Sequence, residues 1–485
     1  MRLDDDLKYF EEPEFKEILD RYERARAKGQ SVYMDAEDLT DVAEYYAMVL
    51  QDNEQAEEAI ELALHLHPDA VDPQIFKARQ HMLDNDPERA LMICDAIEDQ
   101  THREVIFLRA ELLVRDEKCE DATGLLLRSA DEQTEDVDYF IYDSAYIFID
   151  YNKYDWALVF ANKLEQMAPD WYKTWQLMAD VQLGMGNNRV ALKYVGRMLD
   201  IDPFSIETWN WSAEAHSNLG SYTQAMESVE YALAVDPDNE RALQLKAWIL
   251  LQQGNCVEAH ELYQKLEAVN PTCESHWMYD SYALLDLDQP EKAYTAIKQA
   301  EELADDESED RVAIFEQVAQ VASRLGRVEE ALEYLGKAEG VKTGPDEDCW
   351  DERMLQVRVF AENNRLTEAL QTIHVLMERY PSRTMDIFYQ GATLIFDYSY
   401  FDTVIAMLKE LFEFNEDVNP DAYAMLAYSH MSLNNHTEAL KNIRKAIDAH
   451  APSLADLFYE KFPGVKPEEL YDYYYYQVYG QWPES

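Results

Sequence analysis

Between Tyr139 and Ala300 the chain repeats one pattern of small, bulky and polar positions without slippage. Pro169, Pro203, Pro237 and Pro271 stand 34 residues apart, and so do Ala157, Ala191, Ala225, Ala259 and Ala293. Twelve residues before each of those alanines is another small residue: Ala145, Ala179, Ala213, Ala247 and Ser281. A bulky side chain, Trp175, Trp209, Leu243 or Trp277, keeps the same interval. Two small positions and a closing proline per period predict two short helices that pack closely and then stop. The tryptophans are expected to fill the core beside the small residues, and burying a side chain of that kind is worth about 1.5 to 3 kcal/mol.

The frame W-x3-A/S-x11-A-x11-P resembles the tetratricopeptide repeat, and Trp209, Ala213, Ala225, Ala232 and Pro237 match that family's marks within one unit. The resemblance implies an all-α fold, a helix-turn-helix solenoid whose units wind into a right-handed superhelix with the first helices lining a concave groove. It implies a protein-binding scaffold or adaptor rather than an enzyme.

Along the chain, residues 1–36 read as an acidic segment and a cap helix, opened by Pro13, with Phe15, Ile18, Leu19 and Tyr22 on one face and Gly29 beyond its end. Residues 37–136 hold three partly irregular units, the first with Glu44 in the small-residue place and Ala43 beside it. Five regular units occupy 137–304, and four more fill 305–452, giving about twelve. Within that last segment the runs ADDESED and EGVKTGPDEDCW lengthen the period and read as turns on one rim. Residues 453–485 form a tyrosine-rich C-terminal cap, in which Leu470, Tyr473, Tyr474 and Gln477 should share one helix face and Tyr471, Tyr475 and Tyr479 a second. Self-association through this tail is the alternative.

Charge narrows the partners. The 42 Lys and Arg against 97 Asp and Glu give a net charge of −55, which repels nucleic acid and favours a basic or neutral protein segment. Cysteines 94, 119, 256, 273 and 349 are scattered, with no C-x2-C pairing, which suggests reduced thiols and a cytoplasmic location. No basic, apolar leader and no long apolar run is present, so no membrane association is expected.

Candidate chemistry is sparse. Cys256, His260, Cys273 and His276 offer four zinc-ligand types. In the repeat frame, however, the helix between the two pairs spans about 18 Å against a ligand reach of about 2 Å. Gly184 and Gly186 imitate part of a dinucleotide loop, but no strand precedes them and the frame puts them in an inter-helix turn. Neither acidic insertion has the glycine an EF-hand turn needs. No metal, cofactor or catalytic residue is expected.

The informative face is the groove. With the tryptophan or its equivalent as the fourth residue of each unit, the fifth and ninth share one side of the first helix, expected to lie beside the core stripe. In the regular units these are Tyr142 and Tyr146, Gln176 and Asp180, Asn210 and Glu214, Gln244 and Trp248, Met278 and Tyr282. The carboxamides Gln176, Asn210 and Gln244 suit a peptide backbone, and Trp248, Met278 and Tyr282 offer an apolar anchor beside them. The family's basic clamp for carboxylates is not matched, because Gln176, Asp180 and Trp211 stand in its place.

Overall fold

A 13-residue helix followed by a 14-residue helix is the building block: Val137–Ile149 with Tyr154–Met167, Tyr172–Gly184 with Asn188–Ile201, and Ile206–Asn218 with Tyr222–Val235. The computed structural model describes residues 9–27, 33–133, 135–305, 308, 310–341, 350–414 and 419–483. Among these, helix pairs follow one another from Ala36–Met48 with Asn53–Leu66 to Asp421–Ser432 with His436–Asp448, and no strand occurs. The protein is therefore an all-α helical-repeat solenoid. Gly29, Cys349 and much of both acidic insertions lie outside the described residues.

The small positions carry the packing. Ala145, Ala179, Ala213, Ala247 and Ser281 on first helices, and Ala157, Ala191, Ala225, Ala259 and Ala293 on second helices, are all completely buried. A methyl or hydroxymethyl group there lets two helix backbones approach within about 8 to 10 Å. Bulkier neighbours close the remaining space, as where Phe148 stacks on Phe160 with ring centroids 5.5 Å apart.

Each turn inside a pair is set by one residue in the left-handed region. Asn152, Gly186, Gly220, Gly254 and Asp288, again 34 residues apart, have φ between 56° and 74°. The following amide closes the helix end by reaching five residues back: Asn187 N–H donates to the Gln182 carbonyl at 2.8 Å, and Ser221 N–H to that of His216 at 2.8 Å. These are Schellman closures, which satisfy carbonyls the helix itself leaves open. Gly184 has a separate reason: a Cβ there would lie 2.1 Å from the Tyr154 ring.

The tryptophans depart from the sequence expectation. Trp175, Trp209 and Trp277 are only half-buried. Their indole N–H groups donate to the carbonyls of Pro169, Pro203 and Pro271 at 2.8, 2.9 and 3.1 Å. The proline that ends one unit is thus held by the tryptophan that opens the next, and Leu243, which follows Pro237, cannot make this bond.

By its contacts the chain divides into two compact units, Met1–Leu245 and Lys246–Ser485. In the first, Phe140, Phe148, Phe160 and Leu177 lie in one core, and Phe15 and Tyr22 are buried on the opening helix Pro13–Ala27. In the second, cores form around Ile314 and Val318, around Leu408, and around Ile443 and Phe458. Leu470 and Tyr474 of the tail helix Leu470–Tyr479 enter that last core, and the Tyr474 hydroxyl lies 2.8 Å from His436 Nδ1. Tyr473 does not share their face as expected. It is exposed and meets Trp482 edge-on at 5.4 Å, because the helix buries only the Leu470–Tyr474 row.

Two glycines should respond with opposite sign. Gly220 has φ +69°, whereas Gly196 lies inside helix Asn188–Ile201 with open space around it. Gly220→Ala is expected to cost about 1 to 2 kcal/mol, and Gly196→Ala to stabilise by roughly 0.5 to 1 kcal/mol. Urea unfolding of the two variants checks this.

Candidate functional site

In the first unit, the groove positions on successive first helices are tied to one another. The Tyr142 hydroxyl donates to Gln176 Oε1 at 3.2 Å, and the Tyr146 hydroxyl to Asp180 Oδ2 at 3.1 Å. Each bond joins residues 34 apart, so equivalent positions of neighbouring repeats face each other across the helix spacing. Asn210 Nδ2 donates to Asn239 Oδ1 at 3.2 Å, and that same oxygen accepts from the Ala242 amide at 2.9 Å. Arg241 donates to Glu214 at 2.9 Å. Lys173 Nζ sits over the Tyr139 and Tyr142 rings, 5.2 and 4.9 Å from their centroids.

Depth separates the fifth position from the ninth. Tyr142, Gln176 and Asn210 are buried, with 3, 8 and 7% of their surface exposed, whereas Tyr146, Asp180 and Glu214 are half-buried. The fifth position was expected beside the core stripe. In these three units it is inside, because the adjacent first helix covers it. Gln176 consequently holds a neighbouring repeat, and Asn210 does the same through its amide nitrogen. The Asn210 side-chain oxygen is buried and has no hydrogen-bond partner among the described residues. Gln244 is half-buried.

In the second unit Trp248 is half-buried, but Met278 is 2% exposed and packs in the core with Ile297 and Ile314 rather than offering an anchor. Tyr282 is half-buried at the edge of that core, and burial pushes its hydroxyl up to about 12, with the Glu316 carboxylate adding to the effect.

The four residues with zinc-ligand chemistry find other partners or places. His260 Nδ1 lies 2.5 Å from Asp280 Oδ1, and Cys256 Sγ is 3.8 Å from Asp286 Oδ2. Cys273 caps the helix Glu274–Asp286 and His276 is buried within it.

The His260–Asp280 contact belongs to a polar cluster that sequence reasoning missed, between the helices Cys256–Val269 and Glu274–Asp286. Tyr263 is fully buried and stacks on Tyr279 at 6.0 Å. Burial holds the Glu267 carboxyl up at about 8, with the Asp280 charge adding to it, and one Glu267 oxygen has no partner among the described residues. Asp280 is itself raised by burial, against the opposing pull of His260. A carboxyl whose folded value lies above its unfolded one penalises folding as pH rises, since the unfolded chain then releases a proton that the folded chain retains. Stability should therefore fall between about pH 5 and pH 8, and Glu267→Gln should remove part of that fall. Melting temperatures of parent and variant are expected to coincide near pH 4 and to separate near pH 8, with the variant higher.

Family models described as "Tetratricopeptide repeat" match residues 218–278 and 420–449. Among solved structures, a tetratricopeptide repeat protein from Parabacteroides merdae is 16% identical with a TM-score of 0.43, covering 53% of this chain and 98% of its own. PilW, a type IV pilus biogenesis factor, is 18% identical with a TM-score of 0.37, covering 43% of this chain and 94% of its own. The APC/C hetero-tetramer Cut9-Hcn1 is 12% identical with a TM-score of 0.35, covering 88% of this chain and 97% of its own. No curated protein matches the chain.

Proposed function

We propose, on the premise that this chain is a tetratricopeptide-repeat protein, that it is a non-catalytic scaffold which takes a basic or neutral protein segment along the first-helix face of its first compact unit. The observation that carries this reading is the aligned row of Tyr146, Asp180 and Glu214 above the buried Tyr142, Gln176 and Asn210. Neighbouring first helices about 10 Å apart match about three residues of an extended peptide at roughly 3.3 Å each. The half-buried carboxylates of Asp180 and Glu214 favour a cationic side chain, while Asn210 lies beneath them and supports the face rather than meeting the ligand. The cytoplasm is the compartment this reading assumes. Cys94, Cys119, Cys256 and Cys273 are free thiols, and among the described residues no helix is long and apolar enough to cross a membrane.

The test is a titration of basic, neutral and acidic peptides against the full chain. Basic peptides should bind best and weaken as salt rises. The double variant Asp180→Lys, Glu214→Lys should lose about 1 to 2 kcal/mol of binding, close to tenfold, with circular dichroism unchanged. Undiminished affinity in that variant would remove this face from consideration.

A second reading, self-assembly through the tail, has one observation in its favour. Tyr473, Tyr476 and Trp482 form an exposed aromatic group, with Trp482 stacked on Tyr476 at 4.7 Å. Sedimentation at rising concentration tests it: Tyr476→Ala, Trp482→Ala should abolish any self-association, and a parent chain monomeric throughout would end this reading.

A further inference from the structure

In a chain where acidic residues outnumber basic ones by 97 to 42, most of the basic side chains described here are tied to carboxylates. Arg365 bridges Glu329 and Glu368, Arg103 pairs with Asp143 and Arg324 with Glu362. The last helix of the final repeat, His436–Asp448, breaks that habit. Lys441, Arg444 and Lys445 stand at helical spacings of three and four, on one exposed side. Arg444 lies over the Tyr471 ring at 4.6 Å and Lys445 over the Tyr423 ring at 5.2 Å, and neither has an ion pair among the described residues. An aromatic face orients a cation without neutralising it. Lys441 has only a 3.4 Å contact with Glu438.

The tail helix Leu470–Tyr479 faces this row across an open groove of about 520 Å³. Its contribution is Tyr471, Tyr475 and Tyr479, one turn apart on one side, with ring centroids 6.2 and 4.7 Å apart. The tail is held in register by buried Leu470 and Tyr474, so the groove wall is fixed by the core beneath it. The hydroxyls of Tyr471, Tyr475 and Tyr479 have no hydrogen-bond partner among the described residues. Among the described residues Asp448 lines the groove and Glu438 touches Lys441 at its edge. The groove thus presents donors and positive charge, with flat rings for methylene groups, in a chain that is otherwise strongly negative.

We propose that the groove between helices His436–Asp448 and Leu470–Tyr479 docks a carboxylate-rich segment of a partner protein. Glutamate suits it on three counts. Its carboxylate meets the cations, its oxygens accept from the tyrosine hydroxyls, and its two methylenes lie on the rings. The span from Tyr471 to Tyr479 is about 12 Å, which accommodates about four extended residues. Nucleic acid carries the same sign of charge but would have to approach the whole acidic body, whereas a short acidic segment need meet only this groove.

The probe is a short, end-capped, fluorescently labelled poly-glutamate peptide, followed by anisotropy on the full chain. Saturable binding is expected at low salt, fading as salt rises. Lys441→Gln, Arg444→Gln, Lys445→Gln together should weaken it about tenfold. Tyr475→Phe, Tyr479→Phe, which keeps the rings and removes the hydroxyls, should weaken it about threefold and serves as the test should the triple variant fold poorly. Asp180→Lys, Glu214→Lys should leave it unchanged, so this result stands apart from that for the first-helix face. The proposal is overturned by the absence of saturable binding to the parent chain, by equal binding of a poly-glutamine peptide, or by full affinity in a folded triple variant. A concentration-dependent dimer that the triple variant dissolves would equally overturn it, by giving the groove to a second copy.

Discussion

Everything regular in this molecule depends on two helix backbones coming close enough that only a methyl or hydroxymethyl group fits between them. Ala145 and Ala157, and their counterparts along the chain, have no exposed surface at all. That closeness fixes the angle and depth at which each pair meets, and the rest of the unit is built around it. Larger side chains would force the helices apart, and a well-packed interior absorbs such insertion poorly. The left-handed residue that turns the chain between the paired helices is the second half of the same constraint, because helices this close can be joined only by a tight reversal.

Given that geometry, the polar residues between repeats divide by depth. At Tyr142, Gln176 and Asn210 the fifth position of the first helix is covered by the neighbouring helix, and Tyr142 and Gln176 bond to each other. A turn further along, at the ninth position, cover is partial, and Tyr146 and Asp180 reach both the neighbour and solvent. Cohesion and recognition therefore draw on adjacent positions of one helix. A substitution at the deeper one acts first on the stack, while one at the shallower acts on whatever the face meets.

The repeat was legible because its marks are set by sterics that vary little: alanine where backbones touch, proline where a helix stops. The depth of the fifth position was not legible. A helical wheel places Gln176 and Met278 beside the apolar stripe, and only the neighbouring helix puts them under cover. The proline–tryptophan bond left a trace in the recurring P-x5-W spacing, yet a half-buried tryptophan and a core tryptophan have the same letter. His260 with Asp280 left none, since twenty residues and a helix turnaround separate two groups that meet at 2.5 Å. The Lys441, Arg444 and Lys445 row could be read as a cationic helix face, but its tyrosine wall depended on how the tail docks.

The tryptophan–proline bonds give the protein a built-in optical record of its own integrity. An indole held half-buried against a carbonyl emits differently from one released into water, and Trp175 and Trp209 sit in the first compact unit while Trp277 sits in the second. Repeat arrays are joined by contacts between neighbours, and their ends can loosen before their middles. The chain has nine tryptophans, so its intrinsic emission sums these three with six others, and loosening at one junction would enter as the part of the signal lost when Trp175, Trp209 or Trp277 is changed to phenylalanine.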